Sequence, residues 1–207
     1  MSFGDYQTAG LVLASSSPQR SAILERIGIP FTVVKPDADE TVPKTVSPEM
    51  LPAYLARKKA LSVAGNVSGG FVLGADTVVL FGGRVYGKPE NAEMARAFLK
   101  ALSGHRHKVI TALALYDKAR GTLHETAATT RVTIAPLSDA VIGWYIGTGE
   151  WRGAAGGYRV QGQGARLIRS LTGLESTVIG LPVYPLMTLL AKTEQPQWIM
   201  EPVPKLG

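Results

Sequence analysis

Asp76 stands between small residues, in Gly74-Ala75-Asp76-Thr77, directly after the apolar run Phe71-Val72-Leu73. A carboxylate carried inward by an apolar strand needs a partner, and a cation or a bound metal is one. In α/β proteins, ligand crevices form where strands end, so the spacing places Asp76 just past the end of a strand. Asp37-Ala38-Asp39-Glu40-Thr41 puts three carboxylates within four residues. Such a cluster repels itself unless a cation neutralises it. Magnesium takes one or two carboxylates and fills its other positions with phosphate oxygens and water.

Two further patterns suit an anion. Leu11-Val12-Leu13-Ala14 reads as a buried strand, and Ser15-Ser16-Ser17-Pro18-Gln19-Arg20 follows it. A serine cap with proline at the first helical position predicts a helix start, whose free N–H groups and dipole favour phosphate. Arg20 adds a planar fork that matches phosphate oxygens. Gly87-Lys88-Pro89 holds a lysine, and Tyr158-Arg159-Val160-Gln161-Gly162 a glutamine, in glycine-flanked loops. Each pattern also fits a plainer reading: a capped helix, a self-bonded turn, a solvated acidic loop.

The wider composition narrows the chemistry. There is no cysteine among the 207 residues, which excludes disulfides, thiolate nucleophiles and cysteine metal sites. His105, His107 and His124 are the only histidines, and none lies in an HExxH frame. Oxygen ligands are therefore expected for any metal. Neither a P-loop nor a G-x-G-x-x-G follows a strand. The net charge of +6 favours an anionic partner. No run of about 18 apolar residues predicts a membrane span, and the first residues carry no basic, apolar leader. A cytoplasmic protein is the expectation, and Asn66-Val67-Ser68 is then an idle sequon.

The elements that must position these residues follow from periodicity and punctuation. Helices are expected from Pro18 to Gly28, from Glu49 to Ala64 with a stripe of Leu51, Tyr54, Leu55 and Leu61, from Ala92 to Leu102 under Asn91, from Ser138 to Ile146, and from Val183 to Ala191. Strands are expected at Phe31–Val34, Phe71–Leu73, Val78–Phe81, Arg84–Tyr86, Val109–Tyr116, Leu123–Ile134, Leu167–Leu171 and Thr177–Ile179, with Gly82-Gly83 as a hairpin turn. The glycine-rich stretch from Gly147 to Gly164 reads as a site loop too polar for core. The residues from 192 to 207 read as a surface tail. Mixed elements without repeat or linker predict one α/β domain of two lobes, spanning residues 1–207.

Taken together, the patterns resemble a known family. Leu13-Ala14-Ser15-Ser16-Ser17-Pro18-Gln19-Arg20, Asp39-Glu40, Leu55-Ala56-Arg57-Lys58-Lys59-Ala60, Gly74-Ala75-Asp76-Thr77-Val78-Val79, Gly87-Lys88-Pro89, Leu102-Ser103-Gly104 with His107, Ala155-Gly156-Gly157-Tyr158 with Gln161-Gly162, and Val178-Ile179-Gly180-Leu181-Pro182 occur in the order found in Maf proteins, over about residues 10 to 191. The resemblance implies a mixed-sheet α/β fold with two lobes about a long central cleft, a homodimer, and a nucleoside triphosphate pyrophosphatase using magnesium or manganese. By the same resemblance, Asp76 is the general base or a metal ligand, and Glu40 a metal ligand. Lys59 and Lys88 stabilise phosphate charge, Ser15 and Arg20 hold the phosphate tail, and Thr77 and Gln161 help to read the nucleotide.

The Tyr158-x-x-Gln161-Gly162 pattern is similar to the branch that prefers dTTP and UTP. Gln19, in the substrate-binding set, stands where that branch has arginine. Ala154 stands where it has lysine, with Arg152 and Arg159 nearby as substitutes. A modified purine triphosphate or CTP as substrate, and a non-catalytic nucleic-acid-binding or regulatory protein, are the alternatives. No basic helix with interleaved aromatics supports the last.

Overall fold

A computed structural model describes residues 10–193. Residues 1–9 and 194–207 lie outside it, and with them most of the stretch expected as a surface tail. Inside it, Lys192 and Thr193 form a turn against the last helix, and Thr193 is buried.

One seven-stranded mixed sheet organises the chain. Its strands are β1 (Leu11–Ala14), β2 (Thr32–Val34), β3 (Phe71–Phe81), β4 (Arg84–Tyr86), β5 (Arg106–Asp117), β6 (Thr122–Ile134) and β7 (Ile168–Thr172). The order is β2-β1-β3-β5-β6-β7, with β4 hairpinned onto the end of β3. β1 runs parallel to β2 and β3, and the remaining pairs are antiparallel. Six helices pack on the sheet or beside it: α1 (Pro18–Arg26), α2 (Leu51–Ala64), α3 (Ala92–Leu102), α4 (Asp139–Thr148), α5 (Glu175–Ile179) and α6 (Val183–Ala191). No helix among the described residues is long and apolar enough to cross a membrane.

The expected helix starts are mostly present, with one exception in kind. The side chains of Asn91 and Ser138 accept from Met94 N–H at 2.8 Å and Val141 N–H at 3.3 Å, the bonds expected of caps. Ser17 stands at the cap of α1, yet its side chain makes no capping bond. The Gly82-Gly83 turn has φ of 56° and 74°, as a two-residue hairpin requires.

Four readings are corrected. β3 does not stop at Leu73. It runs unbroken for 11 residues through Gly74-Ala75-Asp76-Thr77, so Asp76 lies in mid-strand. Gly74 is no turn residue. A Cβ there would overlap the Ala56 carbonyl oxygen and stand 2.7 Å from Ala60 N, so the glycine lets α2 lie directly on the strand. Thr177–Ile179 belong to α5, not to a strand; its C-cap Gly180 has φ 116°, and that tertiary setting outweighs β-branched propensity. Leu61 is exposed, and α2 buries Leu55, Ala56, Ala60 and Val63 instead, because small residues are what fit above Gly74. Finally, the glycine-rich stretch is not all surface: Trp151 and Tyr158 are core residues.

Alternation along β3 and β5 divides the core. On one face, Leu73, Ala75, Leu113 and Leu115 pack with α1 and α6, while Val79 and Val109 pack with α3, α4, Trp151 and Tyr158. Between these two clusters, on that same face, come Thr77 and Thr111, paired in register. The opposite face holds α2. Two lobes therefore share the long strands, with a polar interruption between their cores.

Candidate active site

The edge of β3 opens at one place. β1 pairs with Phe71–Gly74 and β4 with Val79–Phe81, so Ala75–Val78 have no strand neighbour on that side. Side chains from both faces of the sheet meet in this notch. Asp76 comes from the α2 face and Thr77 from the other, and both line one cleft. The expected crevice at a strand end is present, but the strand that ends there is β1, which delivers the Ser15–Arg20 turn.

The cleft spans about 680 Å³ of space between protein atoms, open solvent included. Gln19, Arg20, Lys59, Asp76, Thr77, Lys88 and Gln161 all line it. Ser15 and Glu40 do not. Ser15 is buried, and its hydroxyl accepts from Ser17 N–H and from Arg20 Nη1, each at 3.1 Å. Ser17 forms the wall in its place. Glu40 reaches in from an exposed loop.

Lys59 ties the carboxylates together. Its Nζ lies 2.6 Å from Asp76 Oδ1 and 3.0 Å from Glu40 Oε1. Asp39 turns instead to Lys58, at 3.5 Å, and accepts from Thr41 N–H. No group of three or more acidic or histidine side chains gathers among the described residues. Glu40 and Asp76, already converging on one cation, are the donor pair that fits a divalent ion needing phosphate oxygens and water to complete its shell.

Arg20 is held in place by the fold. Nε donates to Gly180 O at 2.9 Å, Nη1 to Ser15 Oγ, and Nη2 to Thr77 Oγ1 at 3.3 Å. Three of five N–H groups are thus committed, and one on each Nη remains for a ligand. Burial pulls its pKa below the ordinary value, and Asp76 opposes the shift. The Lys88 ammonium is pushed down by burial first and then by the nearby Arg20 and Lys59. Three cations converge at a site whose empty form they destabilise and whose anion-filled form they favour.

Sequence reasoning missed what lies under Arg20. Thr111 donates to the Thr177 carbonyl at 2.6 Å, so the 2.9 Å contact between Thr77 and Thr111 has Thr77 as donor. The Thr77 oxygen then only accepts, from Arg20. Only its fixed register between two core clusters marks Thr111, and that is invisible before the sheet is paired. Thr111→Val leaves the Thr177 oxygen and the Thr77 proton without partners. We expect it to lose about 1–3 kcal/mol in urea unfolding, with Thr111→Ser recovering most of it. Equal midpoints for wild type and Thr111→Val would contradict the relay.

The glycine-rich arm closes the end of the cleft beside Lys88. Gly156, at φ 71° and with Val79 2.9 Å from where a Cβ would stand, donates to Gly87 O at 2.9 Å and so fixes Lys88 beside the arm. The Glu150 carboxylate accepts from Gln163 and Gly164 N–H at 3.0 and 2.9 Å, which sets the loop that carries Gln161. Arg159 lines the cleft, but its guanidinium donates to Glu150 O at 2.7 Å and Arg152 O at 2.9 Å. Arg152 stacks on Trp151, 4.7 Å from the ring. Val160, Val178 and Ile179 give this end an apolar lining.

Tyr158 joins this end to the core. Its hydroxyl lies 2.6 Å from His107 Nε2, and His107 Nδ1 has no partner. Burial lowers the His107 pKa to about 4 and raises that of Tyr158. Unfolded histidine titrates near 6.5, so between pH 6.5 and 4 the unfolded chain binds the extra proton. Stability attributable to His107 is whole above pH 6.5 and falls as pH drops through that window, by at most about 1.4 kcal/mol per unit. His107→Gln should flatten the pH dependence of the thermal midpoint there. An unchanged slope would show that other groups set it.

A model of the Maf-like protein family matches residues 10–193. A protein of Pelotomaculum thermopropionicum named dTTP/UTP pyrophosphatase is 41% identical over 182 residues, covering 88% of this chain and 95% of its own. Its namesake from Gluconobacter oxydans is 47% identical over 185 residues, covering 87% and 85%. An Anaplasma marginale protein named nucleoside triphosphate pyrophosphatase is 43% identical over 182 residues, covering 87% and 92%.

Proposed function

The chain belongs to the Maf-like protein family, and we propose that it hydrolyses dTTP and UTP to the monophosphate and pyrophosphate. The observation that carries this reading is the notch in β3, where an Asp76–Lys59 pair meets Arg20 and Lys88 in a cleft that Val160, Val178, Ile179 and Gln161 also line. A triphosphate fits that polarity. Its charged tail meets the cations, and its base meets Val160, Ile179 and the Gln161 amide, which pairs with a pyrimidine edge.

The residues then divide the work. Lys59 fixes one oxygen of Asp76, and the other makes no protein hydrogen bond among the described residues. That free oxygen orients a water and takes its proton as the water oxygen bonds to the α-phosphorus. The bond to the bridging oxygen breaks, and pyrophosphate leaves with the electron pair. Arg20, Lys59 and Lys88 meet the charge that develops on the departing oxygens, in positions the fold has already fixed. Glu40 and Asp76 would hold magnesium or manganese, which would supply charge neutralisation at the phosphates. Ser15 acts by holding Arg20, and Thr77, whose proton is taken by Thr111, serves Arg20 more than it reads the base. Gln19 and Ala154 leave the site with two fewer cations than the family branch it resembles. Arg152 and Arg159 are engaged elsewhere, so neither replaces them. We propose a homodimer acting in the cytoplasm.

Pyrophosphate release from a panel of canonical and modified triphosphates, with magnesium and with manganese, tests the reading. Release from UTP or dTTP above the others supports it. Preference for a modified purine or CTP would keep the reaction and discard the pyrimidine assignment. No release from folded protein would overturn the enzyme reading.

A further inference from the structure

A second recess lies on the other side of His107 from the cleft. It is formed by the ends of β3, β5 and β6 and the Gly82-Gly83 turn, and it is lined by Arg106, Lys108 and Arg131. Arg106 and Lys108 are exposed and alternate with the buried His107 and Val109, so both point to one face. Arg131 stands directly opposite Lys108 in the β5–β6 register, and its exposed side chain shares that face. Among the described residues, none of the three side chains makes an ion pair or hydrogen bond. Like charges directly opposite across a sheet destabilise it, so the row is costly unless something neutralises it. Glu49 on the facing wall offsets one charge of three and leaves a local excess of two.

The spacing suits a compact polyanion. Opposed side chains start about 4.5–5.5 Å apart, and Arg106, two residues along β5, starts about 6.6 Å from Lys108. A single condensed phosphate reaches all three. The glycine turn closes one side of the recess without side chains, so the approach is open. Position adds a link to the cleft: His107 lines this recess, Tyr158 lines the cleft, and the two side chains are hydrogen-bonded at 2.6 Å.

We propose that the Arg106–Lys108–Arg131 recess is a second anion site, taking a condensed phosphate such as pyrophosphate or the tail of a nucleoside triphosphate. It communicates with the cleft through the His107–Tyr158 bond. The choice of anion rests on the proposed reaction; the site itself rests on the unpaired, registered cations.

Amide-resolved NMR of the full chain titrated with inorganic pyrophosphate, and separately with a non-hydrolysable UTP analogue, tests it. Saturable shifts are expected at Gly82, Gly83 and residues 106–108, in addition to shifts in the cleft at Gln19 and Gln161. The Lys108→Gln/Arg131→Gln variant should keep the cleft shifts and its turnover, and weaken the recess shifts tenfold or more, about the effect of one charged hydrogen bond or two. Recess shifts with pyrophosphate alone assign the site to the free anion; recess shifts with the analogue as well assign it to the shared phosphate chemistry. Cleft shifts without recess shifts overturn the inference and leave the proposed reaction standing. Recess shifts with neither cleft shifts nor turnover do the reverse. Saturation of the recess by a short single-stranded DNA but not by pyrophosphate also overturns it, in favour of nucleic acid.

Discussion

Asp76→Asn is expected to lower kcat for UTP by about 10²–10⁴, the range for loss of a positioned general base. The amide keeps an oxygen for Lys59, which also retains Glu40 at 3.0 Å, so the ion-paired corner survives in outline. Circular dichroism and cooperative unfolding should therefore remain those of wild type. What is lost is the proton acceptor and a carboxylate charge that would help to hold a metal. Glu40→Gln separates these two losses. Removing a carboxylate that does not line the cleft should raise the metal concentration needed for half-maximal rate and lower kcat less. Full turnover by Asp76→Asn would end the assignment of Asp76 as base.

Arg20→Ala is expected to reduce kcat/KM by about 10²–10³. A bidentate guanidinium on a transferring phosphate is typically worth that much or more. Here the residue also secures three protein acceptors, Gly180 O, Ser15 Oγ and Thr77 Oγ1, so some loss of stability will accompany the loss of activity. Arg20→Lys distinguishes the causes. A lysine keeps the charge but cannot span three acceptors and still present two donors to a ligand. We expect it to recover folding better than activity. If Arg20→Lys matches wild type in kcat/KM, charge alone suffices and the fixed fork is irrelevant.

Much of this site was legible in the sequence because its parts carry local signals. The strand–serine–proline–arginine run, the lysine between Gly87 and Pro89, and the glutamine beside Gly162 announce themselves by punctuation, and all three deliver residues to the cleft. The signals that failed were those decided by distant partners. Gly74 looked like a strand end because glycine breaks patterns, whereas here it makes room for α2. Thr177 to Ile179 looked like a strand by side-chain type, and became a helix because β5 offers their carbonyl a hydroxyl and Gly180 turns the chain. Thr111 had no signal at all. Trp151 and Tyr158 were hidden among glycines, where local polarity masks the fact that two aromatic rings fill the core between α3 and α4.

The long strands set how this molecule admits a substrate. Enzymes with two lobes commonly open and shut about a few residues whose torsions swing between two states. β3 and β5 run without interruption from one lobe to the other, laddered to each other across ten registered pairs. No pivot exists in that ladder, and jaw-like closure would have to tear it. The cleft is bordered by the segment from Gly149 to Gly164, which includes five glycines at positive φ and is anchored by Trp151 and Tyr158 in the core as well as by Glu150, Arg159 and the Gly156–Gly87 bond. A continuous sheet beneath and a border rooted in the core by two aromatic rings make the cleft a preformed one, ready before anything enters it.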